Sequence, residues 1–169
     1  MTLDTAASRQ WPTLVSTLVR IALAIIFLIS GGMKAADSDQ TWVAVQAYQL
    51  LPKDGVSLVA GILPWFELAL GVLLLIGLGV RISAVISAVV FVGFIAAVSQ
   101  AWARGLSIDC GCFGGGGAVS PDQTSYGTEL LRDTGFVILA VWLAVKPRTL
   151  FALEDVLNGA NDSALVRRR

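Results

Sequence analysis

Not one histidine occurs among the 169 residues. That absence removes the commonest general base, the usual haem ligand and most zinc constellations. Charge is scarce too. Asp, Glu, Lys and Arg make up 14% of the chain, twelve acidic against twelve basic. No basic cluster is interleaved with aromatics, so nucleic acid is not expected as a partner. The chain has only two cysteines, Cys110 and Cys112. With Asp109 they make an incomplete metal site that a second subunit would have to close, so no metal is expected.

What is plentiful is apolar surface. Hydrophobic residues make up 56% of the chain and the mean hydropathy is +0.76, too high for an ordinary soluble domain. The fold class expected is all-α, an integral membrane four-helix bundle in the cell membrane, with lipid as its first partner. Residues 1–13 form a polar lead-in, and the spans fall at about 14–33, 56–78, 82–102 and 125–146. Each is long enough to cross roughly 30 Å of hydrocarbon. Gly31-Gly32-Met33-Lys34 is a poor signal-peptide cleavage site, so the first span is expected to be retained. Between the first two spans, the stretch from Trp42 to Leu51 is amphipathic and suits the headgroup level. The last span must begin near Ser125, because Thr134 to Val145 alone would give roughly 18 Å of helix. Glu129, Arg132 and Asp133 are thereby drawn into the bundle on one helical face. A polar tail, 147–169, ends in three arginines.

With both termini cytoplasmic, seven Lys and Arg lie inside and four outside. The positive-inside rule favours that orientation, which leaves the loop 103–124 facing outward. Arg20 and Glu67 interrupt the first and second spans. Counted from the span ends, their depths differ by about 4–5 Å at 1.5 Å of rise per residue. They are expected to form a structural ion pair, or to make Glu67 a proton relay, since intramembrane carboxylates often mark pathways.

The outward loop holds Asp109-Cys110-Gly111-Cys112-Phe113-Gly114 and three further glycines. A Cys-x-Cys pair places its α-carbons near the upper end of the roughly 4.4–6.8 Å that a disulfide tolerates, so the ring closes under strain and reopens easily. Gly111 supplies the positive φ such a ring can demand. The loop it closes is too small to restrict the unfolded chain much. The pair therefore reads as a working dithiol, on the oxidising side of structural disulfides, which sit below about −300 mV. Arg132 is the candidate for lowering a thiol pKa, with Asp133 beside it. Which cysteine attacks is not fixed by the sequence, although the glycines after Phe113 favour access to Cys112. No cofactor motif is evident, so electrons would have to pass to a membrane quinone or a second protein.

Several segments together resemble the DoxX-like four-helix membrane proteins and, within them, the methylamine utilisation protein MauE family. They are Phe27-Leu28-Ile29-Ser30-Gly31-Gly32-Met33-Lys34, Ala47-Tyr48-Gln49-Leu50-Leu51-Pro52, Pro64-Trp65-Phe66-Glu67-Leu68-Ala69-Leu70-Gly71, the cysteine segment from Arg104 to Gly114, and Arg132-Asp133. The long glycine run is similar to that of actinobacterial members. The resemblance implies a membrane protein tied to disulfide chemistry, acting with an extracytoplasmic thioredoxin-like partner in maturing the small subunit of methylamine dehydrogenase. Two other functions compete: a scaffold that holds a partner enzyme at the membrane, and a small-solute transporter using Arg20 and Glu67.

Overall fold

The computed structural model describes residues 3–154. The three terminal arginines, Arg167 to Arg169, lie outside the described residues. Five helices follow one another: α1 (Leu3–Ala36), α2 (Ser38–Ala47), α3 (Lys53–Ile76), α4 (Val80–Ala103) and α5 (Tyr126–Val145). Between α4 and α5 lie a two-stranded antiparallel hairpin, β1 (Ile108–Asp109) with β2 (Gly117–Ala118), and one 3-10 turn at Pro121–Gln123. The first helix runs through the polar lead-in instead of starting at Leu14, and the amphipathic stretch around Trp42 is the short helix α2.

Among the described residues, three helices are long and apolar enough to cross a membrane: α1 from Trp11 to Ala36, α3 and α4. The chain is thus an all-α, multi-pass membrane protein. Length and composition qualify three spans rather than four, because α5 spends its first turns on Glu129, Arg132 and Asp133. The outward faces are apolar, with Leu58, Ile82, Val89 and Ile138 all exposed, as lipid requires.

Turn chemistry sets the element ends. Asp37 caps α2 by accepting the Gln40 amide at 3.0 Å. Gly77, in the left-handed region, ends α3, with its own N–H and that of Leu78 donating to the Leu73 carbonyl.

Inside a bilayer no hydrophobic effect draws helices together, so close packing must do it, and small residues allow it. A Cβ on Gly31 would stand 2.8 Å from the Pro64 carbonyl oxygen, and one on Gly71 would stand 2.9 Å from the Leu28 side chain. The backbones of α1 and α3 therefore nearly touch. On α4 the small residues Ser83, Ala84 and Ser87 are buried, and this helix packs along α5. The centre is filled by Leu23, Phe27, Leu74, Phe91 and Leu143, with the Phe27 and Phe91 rings stacked at 5.0 Å.

The α1–α3 register overturns the expected Arg20–Glu67 pair. Gly31 sits opposite Glu67, while Arg20 lies beside Gly77, ten residues further along α3 and about 15 Å away at helical rise. Depths counted from span ends assumed that both helices start at one plane, but the glycine contacts fix a different offset. Arg20 instead donates to the Leu150 carbonyl at 3.1 Å.

That contact belongs to a strap closing the end of the bundle away from the cysteines. Ser16 donates to the Lys146 carbonyl at 2.7 Å, and the Leu150 amide donates to Thr17 Oγ1 at 2.8 Å. The Glu154 carboxylate accepts the Val80 amide at 3.2 Å, and the Glu154 amide donates to the Gly77 carbonyl.

Candidate functional site

At the opposite end, the loop after α4 folds back on the bundle. Tyr126, the first residue of α5, pins it: its hydroxyl accepts the Ile108 amide at 3.0 Å and donates to the Leu106 carbonyl. The hairpin pairs Asp109 with Gly117. The Asp109 carboxylate then accepts the amides of Gly111 at 3.4 Å and Gly116 at 3.2 Å, which closes the tip into a compact ring. Gly111 takes a φ of +68°, and a Cβ on it or on Gly116 would run into Ala44 of α2. Glycine is needed there for contact as much as for conformation.

Polar groups from α1 and from Tyr48, the residue that ends α2, hold the peptides on both sides of Gly111. The Tyr48 hydroxyl donates to the Cys110 carbonyl at 3.1 Å. The Cys112 carbonyl lies 2.7 Å from Ser30 Oγ and 3.3 Å from Lys34 Nζ. Lys34 Nζ also sits 2.9 Å from both carboxylate oxygens of Glu67. Ser30 has one hydroxyl proton and two acceptors in reach, the Cys112 carbonyl and Glu67 Oε2 at 3.1 Å. The three ammonium protons of Lys34 complete the set. Glu67 is fully buried and Lys34 nearly so. An isolated charge there would be very costly, and this pairing is what permits it.

Both thiols are free and each cysteine is only 8% exposed. The expected exposed dithiol is therefore covered, because α2 and the glycine turn close over it, and Cys112 has no advantage in access. The two sulfurs differ in surroundings instead. Arg132 Nη2 lies 3.8 Å from Cys110 Sγ. Its guanidinium is fixed by Asp133, whose Oδ1 accepts from Nε at 2.9 Å, and by the Phe113 ring at 5.0 Å. Donation from the Cys112 thiol holds Cys110 below the ordinary thiol range, against burial and with help from Arg132. Cys112, which gives that proton and is buried as well, is pushed up. Burial likewise raises the Tyr48 phenol, which stays protonated as a donor.

Ligand atoms of Asp109, Cys110 and Glu129 lie within 4.8 Å of one another, a donor set of metal-binding type. Two observations weigh against a cation there. Asp109 is committed to backbone amides, and Arg132 already supplies positive charge at the same sulfur. Glu129 Oε2 and Asp133 Oδ2 are buried without a hydrogen-bond partner among the described residues. A void of about 10 Å³, room for roughly one water, touches Asp133, Glu67, Ser30 and Cys112.

The structure thus brings together Asp109, Cys110, Gly111, Cys112, Phe113, Arg132 and Asp133. Gly114 lies in the same turn, against the Met33 methyl. Glu67 joins from beneath through Lys34 and Ser30, and Arg20 is at the other end of the molecule. Sequence reasoning missed Lys34, Ser30, Tyr48 and Tyr126 as members of the site, and treated Glu129 only as a helix-face charge. Ser30 and Lys34 are four apart on α1 and share a face, a signal hidden by placing Lys34 beyond the span.

Neither a curated protein nor a solved structure matches the chain. The family model described as methylamine utilisation protein MauE does match, over residues 12–146, a stretch that contains every residue of this site, and the chain belongs to that family.

Proposed function

We propose that this MauE-family protein, DoxX-like in build, is a membrane thiol–disulfide exchanger working with an extracytoplasmic thioredoxin-fold protein. In this reading α5 is the fourth span, both termini are cytoplasmic, and the cysteine loop faces outward. The observation that supports it most is the placing of Arg132 Nη2 3.8 Å from Cys110 Sγ. A fixed cation against one sulfur of an adjacent pair makes that sulfur the better thiolate and the better leaving group.

Written toward partner oxidation, a partner thiolate attacks the Cys112 sulfur of a Cys110–Cys112 disulfide. Cys110 leaves as the thiolate, its charge held by Arg132. The partner's second thiolate then attacks its own sulfur in the mixed disulfide and releases Cys112, which takes up a proton. Two electrons and one proton pass to this protein, which ends with a Cys110 thiolate and a Cys112 thiol, and the partner leaves with a disulfide. Because the thiols are covered, the turn Gly114–Gly117 has to lift for the partner to enter. Four consecutive glycines bring no side-chain anchors to that cover.

The test is a trap. In Cys110→Ser the lone Cys112 can attack the oxidised partner's disulfide, the reverse of the step above, and no Cys110 thiolate remains to resolve the product. A mixed disulfide at Cys112 therefore accumulates in membranes, and the captured partner is identified by mass. A scaffold with incidental cysteines captures nothing and keeps its function in the same variant, which would refute the exchange. The captured partner also shows whether this chain serves methylamine utilisation, as the family's description has it, or the oxidation of another protein.

A further inference from the structure

Two apolar depressions adjoin on the membrane side of α3. One is a chamber of about 160 Å³ whose inner wall is Cys110, Gly111 and Cys112. Lys34, Thr41 and Tyr48 are the polar groups in its lining, and Leu51, Phe94 and Ala97 are among its apolar ones. The other is an open groove of about 250 Å³ formed entirely by Leu58, Val59, Ile62, Leu63 and Phe66. Val59 and Leu63 line both, so chamber and groove meet at these two side chains. The exposed sides of Leu58 and Ile62 put the groove on the lipid-facing surface.

The chamber is smaller than the roughly 300 Å³ at which drug-sized ligand sites begin. It suits one substituted ring, with the remainder of the molecule outside. An occupant must reach it from the lipid, carry a long apolar portion for the groove, and present a compact head to two thiols, an ammonium and a phenol. A plain acyl chain fits the groove but gives the polar wall nothing to do.

We propose that the chamber receives the head ring of a lipid-soluble quinone, its prenyl tail lying along Val59 and Leu63, and that this ring reoxidises the Cys110/Cys112 dithiol. The inference rests on the exchange reading, for which it supplies the terminal oxidant. In the step the Cys112 S–H bond is lost, the Cys110 thiolate gives up its charge, and the Cys110–Cys112 S–S bond forms. Two electrons and the Cys112 proton pass to the quinone, and water supplies the second proton that completes the quinol.

The test uses the full chain, reduced and reconstituted in lipid nanodiscs, with decylubiquinone and a short-chain naphthoquinone as probes. Quinol is followed by absorbance and the thiols by alkylation and mass. One quinol should form per protein as both thiols disappear. Val59→Trp and Leu63→Trp, each filling the junction of chamber and groove, should slow the reaction by about tenfold or more. Val89→Trp, on the lipid face of α4 and away from the chamber, should keep the wild-type rate. If diamide forms the disulfide readily while neither quinone does, the quinone site is refuted and the exchange reading stands. Wild-type rates in both Val59→Trp and Leu63→Trp would refute the site as well. If diamide also fails to form the internal disulfide, the exchange reading falls and this inference with it.

Discussion

Lys34 Nζ lies 2.9 Å from both carboxylate oxygens of Glu67, bridging α1 and α3, and the same ammonium reaches the Cys112 carbonyl at 3.3 Å. A buried ion pair is therefore also the floor of the cysteine loop. Breaking it from one side leaves a bare charge in an apolar setting, which costs about 3–5 kcal/mol. Glu67→Gln and Lys34→Met should each lower the thermal unfolding temperature in detergent and speed alkylation of Cys112. The double variant Lys34→Met/Glu67→Leu should lose less stability than either single change. Additive losses would show that the two side chains do not act as a pair.

The unequal surroundings of the thiols predict unequal titration. As pH rises, Cys110 should become alkylated with a midpoint below the ordinary thiol value of about 8.5, while Cys112 stays protonated and unmodified. Mass mapping after brief iodoacetamide treatment should find single adducts at Cys110. Removing the cation in Arg132→Gln withdraws support from the thiolate and should move the Cys110 midpoint upward. Adducts shared equally between the cysteines would contradict the asymmetry.

Neighbouring glycines on α1 should behave differently. Gly31→Ala puts a methyl into the α3 backbone at Pro64 and should cost about 1–3 kcal/mol by forcing the helices apart. Gly32→Ala meets nothing within 4 Å and should be neutral or slightly stabilising, since alanine favours helix. Detergent melting curves of the two variants measure the contrast.

Because the native thiols are covered, topology is better probed by a cysteine placed at the surface. In a Cys110→Ser/Cys112→Ser background, Ala118→Cys at the exposed hairpin should react with an impermeant maleimide in intact cells. Arg81→Cys, at the opposite end of α4, should react only after permeabilisation. The reverse pattern would invert the orientation.

Composition alone pointed to a helical membrane protein, and the Asp109–Gly114 segment stood out because both cysteines and a glycine run coincide there. What sequence could not supply was the helix offset. Arg20 and Glu67 look like partners when spans are drawn as bars of equal depth, but Gly31 against Pro64 and Leu28 against Gly71 slide α1 so that Lys34 meets Glu67 instead. Covering of the thiols was hidden for a related reason. Ala44 and Tyr48 lie some sixty residues before the cysteines, and nothing local to the loop shows that α2 folds over it. Arg132 and Asp133 were legible because their helical spacing sets them on one face near the loop.

The strap at residues 147–154 bears on how the protein is made. The Val80 amide, opening α4, finds its acceptor in Glu154, and Arg20 finds one of its acceptors in the Leu150 carbonyl. Both partners are synthesised long after the groups they satisfy have left the ribosome. The α3–α4 hairpin must therefore enter the membrane with its turn unlatched and wait for the last helix to be threaded. The cysteine loop, translated before that helix, can dock on α1 and α2 earlier. A released chain truncated after Lys146 should consequently have a formed thiol site, since Tyr126 and Arg132 are present, but remain easy prey for a protease at the Gly77–Gly79 turn. A fusion joined directly after Val145 would fix that vulnerable state permanently.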